Sequence, residues 1–255
     1  MLAPLAGTLG PLSVPGPAVA APSGRSALFD GSTQSLSMAS VPAITYSGGD
    51  LTVSGWFRAV GSNSITCLAV KGWSGSPEWQ IMTNAAGQLT AQIWKVGGGP
   101  AGTPAGATLT LNTWWFVMME WVDSTKTLTV TRDLDFPTSV VVAEGLNAAG
   151  ADAFEVSSAA NGFNRFSGRV DALFIQKRAL TAAEKAWLFN GGSGRRFAET
   201  GQAGTDGADL RTSLAEWWDL DELSDGSAAV PRVGAFAGLT LTDTGKTPSA
   251  AGVPN

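Results

Sequence analysis

The feature that most constrains the fold is a succession of short runs of alternating polarity, separated by clusters of turn-forming residues. Residues 51–57 (LTVSGWF), 89–94 (LTAQIW) and 127–131 (TLTVT) each repeat with a period of two. That is the period of a strand buried on one face. In the second run Leu89, Ala91 and Ile93 fall on one face, and Thr90, Gln92 and Trp94 on the other. Between the runs lie residues 47–50 (SGGD), 84–87 (NAAG), 97–100 (GGGP) and 123–125 (DST). Gly reaches left-handed conformations there, and Asn, Asp and Ser bond their own backbone. Many short strands with turn signals between them predict an all-β, two-sheet antiparallel β-sandwich. Val117, Met119, Trp121, Leu89, Ile93 and Val170 are its expected core, with Trp79 inside because it alternates with Ile81.

Residues 114–122 are apolar on both faces: Val117, Met119 and Trp121 form one, Phe116 and Met118 the other. A central strand whose second face is covered reads this way. The cover is either a terminal segment or a partner, so Phe116 and Met118 are candidate assembly contacts. Val170 and Leu173 are three apart, which strict alternation puts on opposite faces. A bulge near Asp171 and Ala172 would bring both to the core; the alternative is a strand buried on both faces. One short helix is predicted over 182–189. Thr181 caps it, Glu184 three residues on completes a capping box, and Asn190-Gly191-Gly192 ends it. Trp187 and Leu188 are its apolar anchors.

The 255 residues suit one large sandwich or two small domains. Residues 1–24 carry Pro4, Pro11, Pro15, Pro17 and Pro22, a density that blocks helix and central strand. They predict an extended arm. Leu2, Leu5, Leu9, Leu12 and Val14 are its candidate contacts to the same domain or a neighbouring subunit. Residues 25–192 are the expected sandwich, and 193–255 a C-terminal segment.

Charged residues make up 15% of the chain, against roughly 25% in an average soluble domain. So little charge predicts a surface partly covered by another subunit. The net charge is −5 and the 16 basic residues are scattered, which disfavours nucleic acid as a partner. Histidine is absent. That removes Ser-His-Asp and Cys-His catalysis, His-ligated zinc and the usual general base near neutral pH. The single cysteine, Cys67, sits in an apolar stretch and is expected to be a buried hydrophobe. No stretch has the length and purity of a membrane helix, and the basic start of a secretory signal is missing. Residues 97–100 lack the Lys and following helix of a phosphate loop.

Four segments, in order, resemble a known family. They are residues 27–36 (ALFDGSTQSL), 51–57, 112–117 (NTWWFV) leading to Trp121, Asp123, Ser124 and Leu128, and 166–171 (FSGRVD) running on to 178–184 (RALTAAE). The last is similar to the F-x-G-x-I-D…R-x-L-s-x-x-E ending of laminin-G-like, concanavalin A-like lectin and glucanase jelly rolls. Residues 27–190 carry the resemblance, which implies that fold. The C-terminal part departs from it. Residues 213–224 (SLAEWWDLDELS) with 238–243 (GLTLTD) look like the segment that normally opens such a domain. Their late position implies a circular permutation, or donation of the segment to a neighbouring subunit. Residues 215–222 are therefore expected to pair within the sandwich of 27–176, in the same chain or in a neighbour. Trp217 and Trp218 join the candidate assembly contacts.

The resemblance also frames function. Relatives that hydrolyse glycans use an E-x-D-x-E array of strand carboxylates, whose chemistry needs closely spaced acids. Here Asp219 and Asp221 share a face, but Leu223 stands where the third acid belongs. No catalytic residue is assigned and no enzyme activity is expected. Lectin-like relatives stack sugars on exposed aromatics. Trp73 in a loop and Trp94 on the polar face of its strand are the candidate platforms, with interface or edge packing as the favoured alternative. Relatives often hold calcium, for which Asp30 and Asp171 are the candidates; no other cofactor is expected. Domains with a Trp-Trp-Asp-Leu element also occur in bacteriophage structural proteins. The resulting expectation is a non-enzymatic virion protein, a capsid decoration or tail component. It would be assembled in the host cytoplasm onto the virion surface, with copies of itself or other virion proteins as partners. The alternative is a carbohydrate-binding adhesion module that recognises surface glycans. Neither involves nucleic acid or a membrane.

Overall fold

The computed structural model describes residues 24–251 except 62–64, 74–76, 148–149, 160–161, 163, 223–229 and 246–247. Leu2, Leu5, Leu9, Leu12 and Val14 of the expected arm thus lie outside the described residues. The first strands are β1 (Arg25–Asp30), β2 (Ser35–Met38), β3 (Leu51–Ala59), β4 (Thr66–Lys71), β5 (Trp79–Thr83), β6 (Leu89–Trp94), β7 (Pro100–Gly102) and β8 (Trp115–Val122). They continue with β9 (Thr127–Arg132), β10 (Asp135–Val141), β11 (Phe154–Val156) and β12 (Ser167–Gln176). After helix α1 (Ala182–Phe189) come β13 (Leu214–Trp218), β14 (Arg232–Val233), β15 (Thr240–Thr244) and β16 (Ser249–Ala251).

These build two antiparallel sheets. The first runs β10-β9-β8-β3-β12-β1-β16, with β13 also on β12; the second runs β14-β15-β2-β11-β4-β5-β6-β7. The facing sides enclose one core that includes Leu89, Ile93, Val117, Met119, Trp121, Val170 and Trp79, the residues the alternation assigned to it. Its aromatic pairs cross between sheets, as where Trp218 stacks on Phe154 with centroids 5.6 Å apart.

Strand β12 needs both devices read from its sequence. Its pairing with β3 shifts register between Asp171 and Phe174, and Ala172 takes a positive φ of 44°. The bulge turns Leu173 and Ile175 into the main core beside Val170. Ala172 and Phe174 then face a second apolar cluster on the outside of the first sheet.

That outer cluster decides which surfaces are open. Trp56, Phe116, Met118, Phe174 and Trp217 are covered by Leu180 and Leu188 of the α1 region and by Leu210 and Leu214 beyond it. Helix α1 has the expected cap: the Thr181 side chain accepts from the Glu184 amide, Glu184 reaches back to the Thr181 amide, and Asn190 is left-handed. The two-faced strand β8 is thus covered by its own chain. Phe116 (2% exposed), Met118 (3%), Trp217 (2%) and Trp218 (0%) are consequently not available as assembly contacts, contrary to the reading from sequence. Burial within the chain already satisfies their hydrophobic surface.

The C-terminal strands enter both sheets. Along one edge of β12, β1 occupies the first half, from Asp30↔Ser167 to Ala27↔Val170. β13 occupies the second half, from Trp218↔Leu173 to Leu214↔Gln176. The two strands lie end to end, and Asp221 accepts a hydrogen bond from the Arg25 amide at 2.8 Å where they meet. β15 pairs with β2 and β16 with β1. Glu216 fastens the loop that follows. Fully buried, its carboxylate accepts from the amides of Trp217, Phe236, Ala237 and Leu239. Gly234 leaves it room, since a Cβ there would collide with this carboxylate.

Candidate functional site

With the outside of the first sheet covered, the outside of the second is open toward its two ends, at β15–β2 and β6–β7, while the outward Glu155, Val70 and Gln80 at its centre are buried. Register places its outward residues in one row across seven strands. Thr242 on β15 pairs with Ser37 on β2, Ser37 with Glu155 on β11, and Glu155 with Val70 on β4. Val70 pairs with Gln80 on β5, Gln80 with Gln92 on β6, and Gln92 with Gly102 on β7. The neighbours of these residues along each strand, such as Leu36, Phe154, Ile81 and Ile93, point into the core. Hence the row faces outward.

Both tryptophans singled out in the sequence belong to this face. Trp94 is two residues beyond Gln92 on β6 and is half-buried. Trp73, also half-buried, packs against Cys67, Val70 and Ala159. Between their strands lies an amide pair that sequence reasoning missed: Gln80 Nε2 donates to Gln92 Oε1 at 2.5 Å. Gln80 is 2% exposed and its Oε1 has no hydrogen-bond partner. Its outward direction was legible in the alternation of Trp79, Gln80 and Ile81; its position opposite Gln92 was not. Cys67 is a buried hydrophobe beneath Trp73, and burial together with the Glu155 charge pushes its thiol pKa up.

A second feature lies at the end of the sandwich. A depression of about 590 Å³ is lined by Ser40, Val41, Pro42, Thr45, Tyr46, Ser47, Gly150 and Ala151. Next to it Lys71 and Glu78, both fully buried, form an ion pair at 3.7 Å. Burial lowers the Lys71 pKa, against the pull of Glu78 and Asp152. Burial raises that of Glu78, against the Tyr46 amide, Lys71 and the Gly150 amide. Lys71 Nζ is 3.1 Å from Ser40 Oγ, the pairing of a Ser–Lys nucleophile. The rest of its environment argues otherwise. Nζ also donates to the carbonyls of Gly150 and Asp152 at 2.9 and 2.6 Å, and Ser40 Oγ in turn donates to the Gly150 carbonyl at 2.6 Å. The Ser40 proton is thus directed at a carbonyl and not at the lysine nitrogen. The pair instead ties the 40–46 and 150–152 loops to the base of the β4–β5 hairpin that carries Trp73.

Asp219, Asp221 and Asp30 are held by bonds within the chain. Asp219 Oδ1 accepts from Trp217 Nε1 at 2.8 Å and from the Phe197 amide at 3.2 Å. Asp221 is bound by Arg196 and by the Arg25 amide. Asp30 accepts from the amides of Ser32, Thr33 and Gln34 and from Thr33 Oγ1. Burial raises its pKa, but those bonds outweigh it and hold the carboxyl well below the usual range. It is a turn residue. Among the described residues no three His, Cys, Asp or Glu side chains come together as a metal site. Asp30 and Asp171 thus stand apart from any such cluster among the described residues.

Asp171 is 2% exposed, and its Oδ2 has no hydrogen-bond partner. Burial pushes its pKa well above the ordinary 3.8; Arg196 and the Ala172 amide oppose the rise, and Asp219 adds to it. The folded state thus binds this proton more tightly than the unfolded chain does. The stability it contributes is complete below about pH 4 and is lost as pH climbs toward the raised folded value. Asp171→Asn removes the ionisation. Relative to the parent, its melting temperature should rise between pH 4 and pH 8, the gain reaching about 1 kcal/mol or more. A parent-minus-variant difference that is flat with pH would refute the assignment.

Comparison with known proteins places this architecture. No curated protein matches the chain in sequence. Among solved structures, a proposed carbohydrate-binding protein from Bacteroides ovatus superposes with a TM-score of 0.62 at 13% identity, over 91% of this chain and 61% of that one. The heptameric SAP-like pentraxin of Limulus polyphemus gives 0.50 at 13% identity, over 64% of this chain and 80% of its own. The CBM40 of the Ruminococcus gnavus IT-sialidase, solved with α2,3-sialyllactose, gives 0.50 at 11% identity, over 63% and 93%. At such identities the likeness is one of fold. The chain spans about three-fifths of the first of these proteins, 61% of its length. In sequence, the family described as the concanavalin A-like lectin/glucanases superfamily matches residues 30–184, well over half of the 255. The chain, a two-sheet jelly roll with that family's motifs in order, belongs to the concanavalin A-like lectin/glucanase superfamily.

Proposed function

We propose that the protein is a non-enzymatic carbohydrate-binding module whose site is the outer face of the second sheet. The observation that carries this reading is the placement of Trp73 and Trp94 on that face, with Gln80 on the strand between their supports and bonded to Gln92, two residues from Trp94. Indole faces stack on the apolar side of a sugar ring, and amides bond its hydroxyls. Ligand sites of this kind combine aromatic area with a few placed polar groups. The lectin-type fold supports the reading, as does the engagement of Asp219 and Asp221 in bonds within the chain. The competing virion-assembly reading drew on Phe116, Met118, Trp217 and Trp218, which the chain buries by itself. Its further supports are the low charge, the resemblance of the Trp-Trp-Asp-Leu element to bacteriophage structural proteins, and the leucines of the arm, which lie outside the described residues.

Binding measured on a glycan array and by calorimetry is the test. Trp94→Ala should lower affinity for the best glycan at least tenfold, because loss of a central aromatic typically costs more than about 1 kcal/mol. Its melting temperature should stay close to the parent's, since Trp94 lies outside the main core. Undiminished binding by Trp94→Ala would move the site elsewhere.

A further inference from the structure

The chemistry of the outer face narrows the ligand. The outward strand positions of the second sheet are Thr240, Thr242, Thr244, Ser35, Ser37, Glu155, Cys67, Val70, Gln80, Met82, Thr90, Gln92, Trp94, Pro100 and Gly102, beside Val233 at the edge. No Lys or Arg is among them. The only Asp or Glu among them is the buried Glu155, and the whole chain is negative. A glycan carboxylate or sulfate brought to these strand positions would meet no Lys or Arg there, in a chain whose net charge is −5. Anionic groups are recognised by guanidinium or ammonium partners, and like charge at an interface works against binding. The nearest lysine in sequence, Lys95, is engaged with Glu144 at 3.5 Å.

The polar groups present are neutral amides and hydroxyls. Gln80 Oε1 is a buried acceptor for which the described residues supply no donor, and buried acceptors are normally satisfied. A ligand hydroxyl offers such a donor; a carboxylate or sulfate group in the same place does not. The spacing of the platforms adds a length requirement. Trp73 rests on Val70 of β4, and Trp94 stands on β6 with β5 between them. Two strand spacings set these supports about 10 Å apart, more than one sugar ring covers. Resting on the carbohydrate-binding reading above, we propose that this face selects an uncharged oligosaccharide chain over both acidic glycans and single sugars.

The test is calorimetry on the full chain with neutral hexose oligosaccharides from one to six units, alongside 3′-sialyllactose and oligouronates of matched length. Neutral chains should bind, with affinity rising at least tenfold from the monosaccharide to the tetrasaccharide. Acidic ligands of equal length should bind at least tenfold more weakly. Gln92→Lys, which puts a cation in the middle of the row, should shrink that gap. An acidic glycan bound as tightly as the neutral one, and lost in Trp94→Ala, would overturn the selectivity while leaving a carbohydrate site in place. A monosaccharide bound as tightly as a tetrasaccharide would overturn the length requirement. If no member of either set bound, the carbohydrate reading itself would fall.

Discussion

A chain ending at Gly192 should be unable to hold a stable sandwich, and should aggregate or melt far below the full-length protein. The cut removes Trp218, Leu220 and Leu241 from the main core. It also removes Leu210, Leu214 and Trp217 from the cover over Phe116, Met118 and Phe174. Each fully buried side chain of this size stabilises by about 1.5–3 kcal/mol. The several lost together exceed much of the roughly 5–15 kcal/mol that separates a folded domain from its unfolded state. Backbone pairing is lost as well: the second half of one β12 edge is left open, as are the outer edges of β1 and β2. Unpaired edges next to newly exposed aromatics are templates for aggregation. Light scattering and thermal melts check this. A truncated protein that stayed monomeric and melted at the full-length temperature would make residues 193–255 a separate appendage.

Glu216→Ala should cost about 3 kcal/mol or more, the largest loss expected from a single substitution outside the apolar core. The carboxylate is fully buried and gathers amides from Trp217, Phe236, Ala237 and Leu239 at 2.7–3.0 Å. A hydrogen bond to a charged group is worth about 1.5–3 kcal/mol, and each orphaned buried donor adds its desolvation penalty. For a chain of this size that means a fall in melting temperature of about 6–12 °C. Glu216→Gln should lose less, because its amide keeps one acceptor oxygen but turns a donor toward the remaining amides. Thermal denaturation of both variants beside the exposed control Asp206→Ala tests the assignment. Equal stability of Glu216→Ala and the parent would show that the 234–239 loop does not depend on this carboxylate.

Local signals were readable before any coordinates. The capping box at Thr181 and Glu184, the left-handed Asn190 and the alternation of 89–94 each depend on residues within a few positions of one another. They appear as read. The β12 bulge was legible for the same reason: Val170 and Leu173 could both reach a core only if the period broke between them. The outward direction of Trp94 followed from period two alone.

Other features were invisible because their partners are distant in the chain. Glu216 reads as an ordinary polar residue in an amphipathic strand; its meaning comes from amides twenty and more residues away. Lys71 and Glu78 are near in sequence, but their burial is imposed by the 40–46 and 150–152 loops. Phe116 and Met118 read correctly as a covered face. Pattern alone left open whether the cover came from the same chain or another, since hydrophobic burial is non-directional and any apolar surface of suitable shape will serve.

The sequence by itself determined the two-sheet architecture, the helix, the membership of the core and the strand that bears Trp94, because strand and helix periods are written residue by residue. Only the tertiary structure decided that β13 abuts β1 on one edge of β12, that one sheet face is closed while the other is open toward its ends, and that Gln80 stands beside Gln92 on the strands that support Trp94. Those outcomes depend on which segments, many residues apart, complete each other's hydrogen bonds and apolar surface. No local period records that choice.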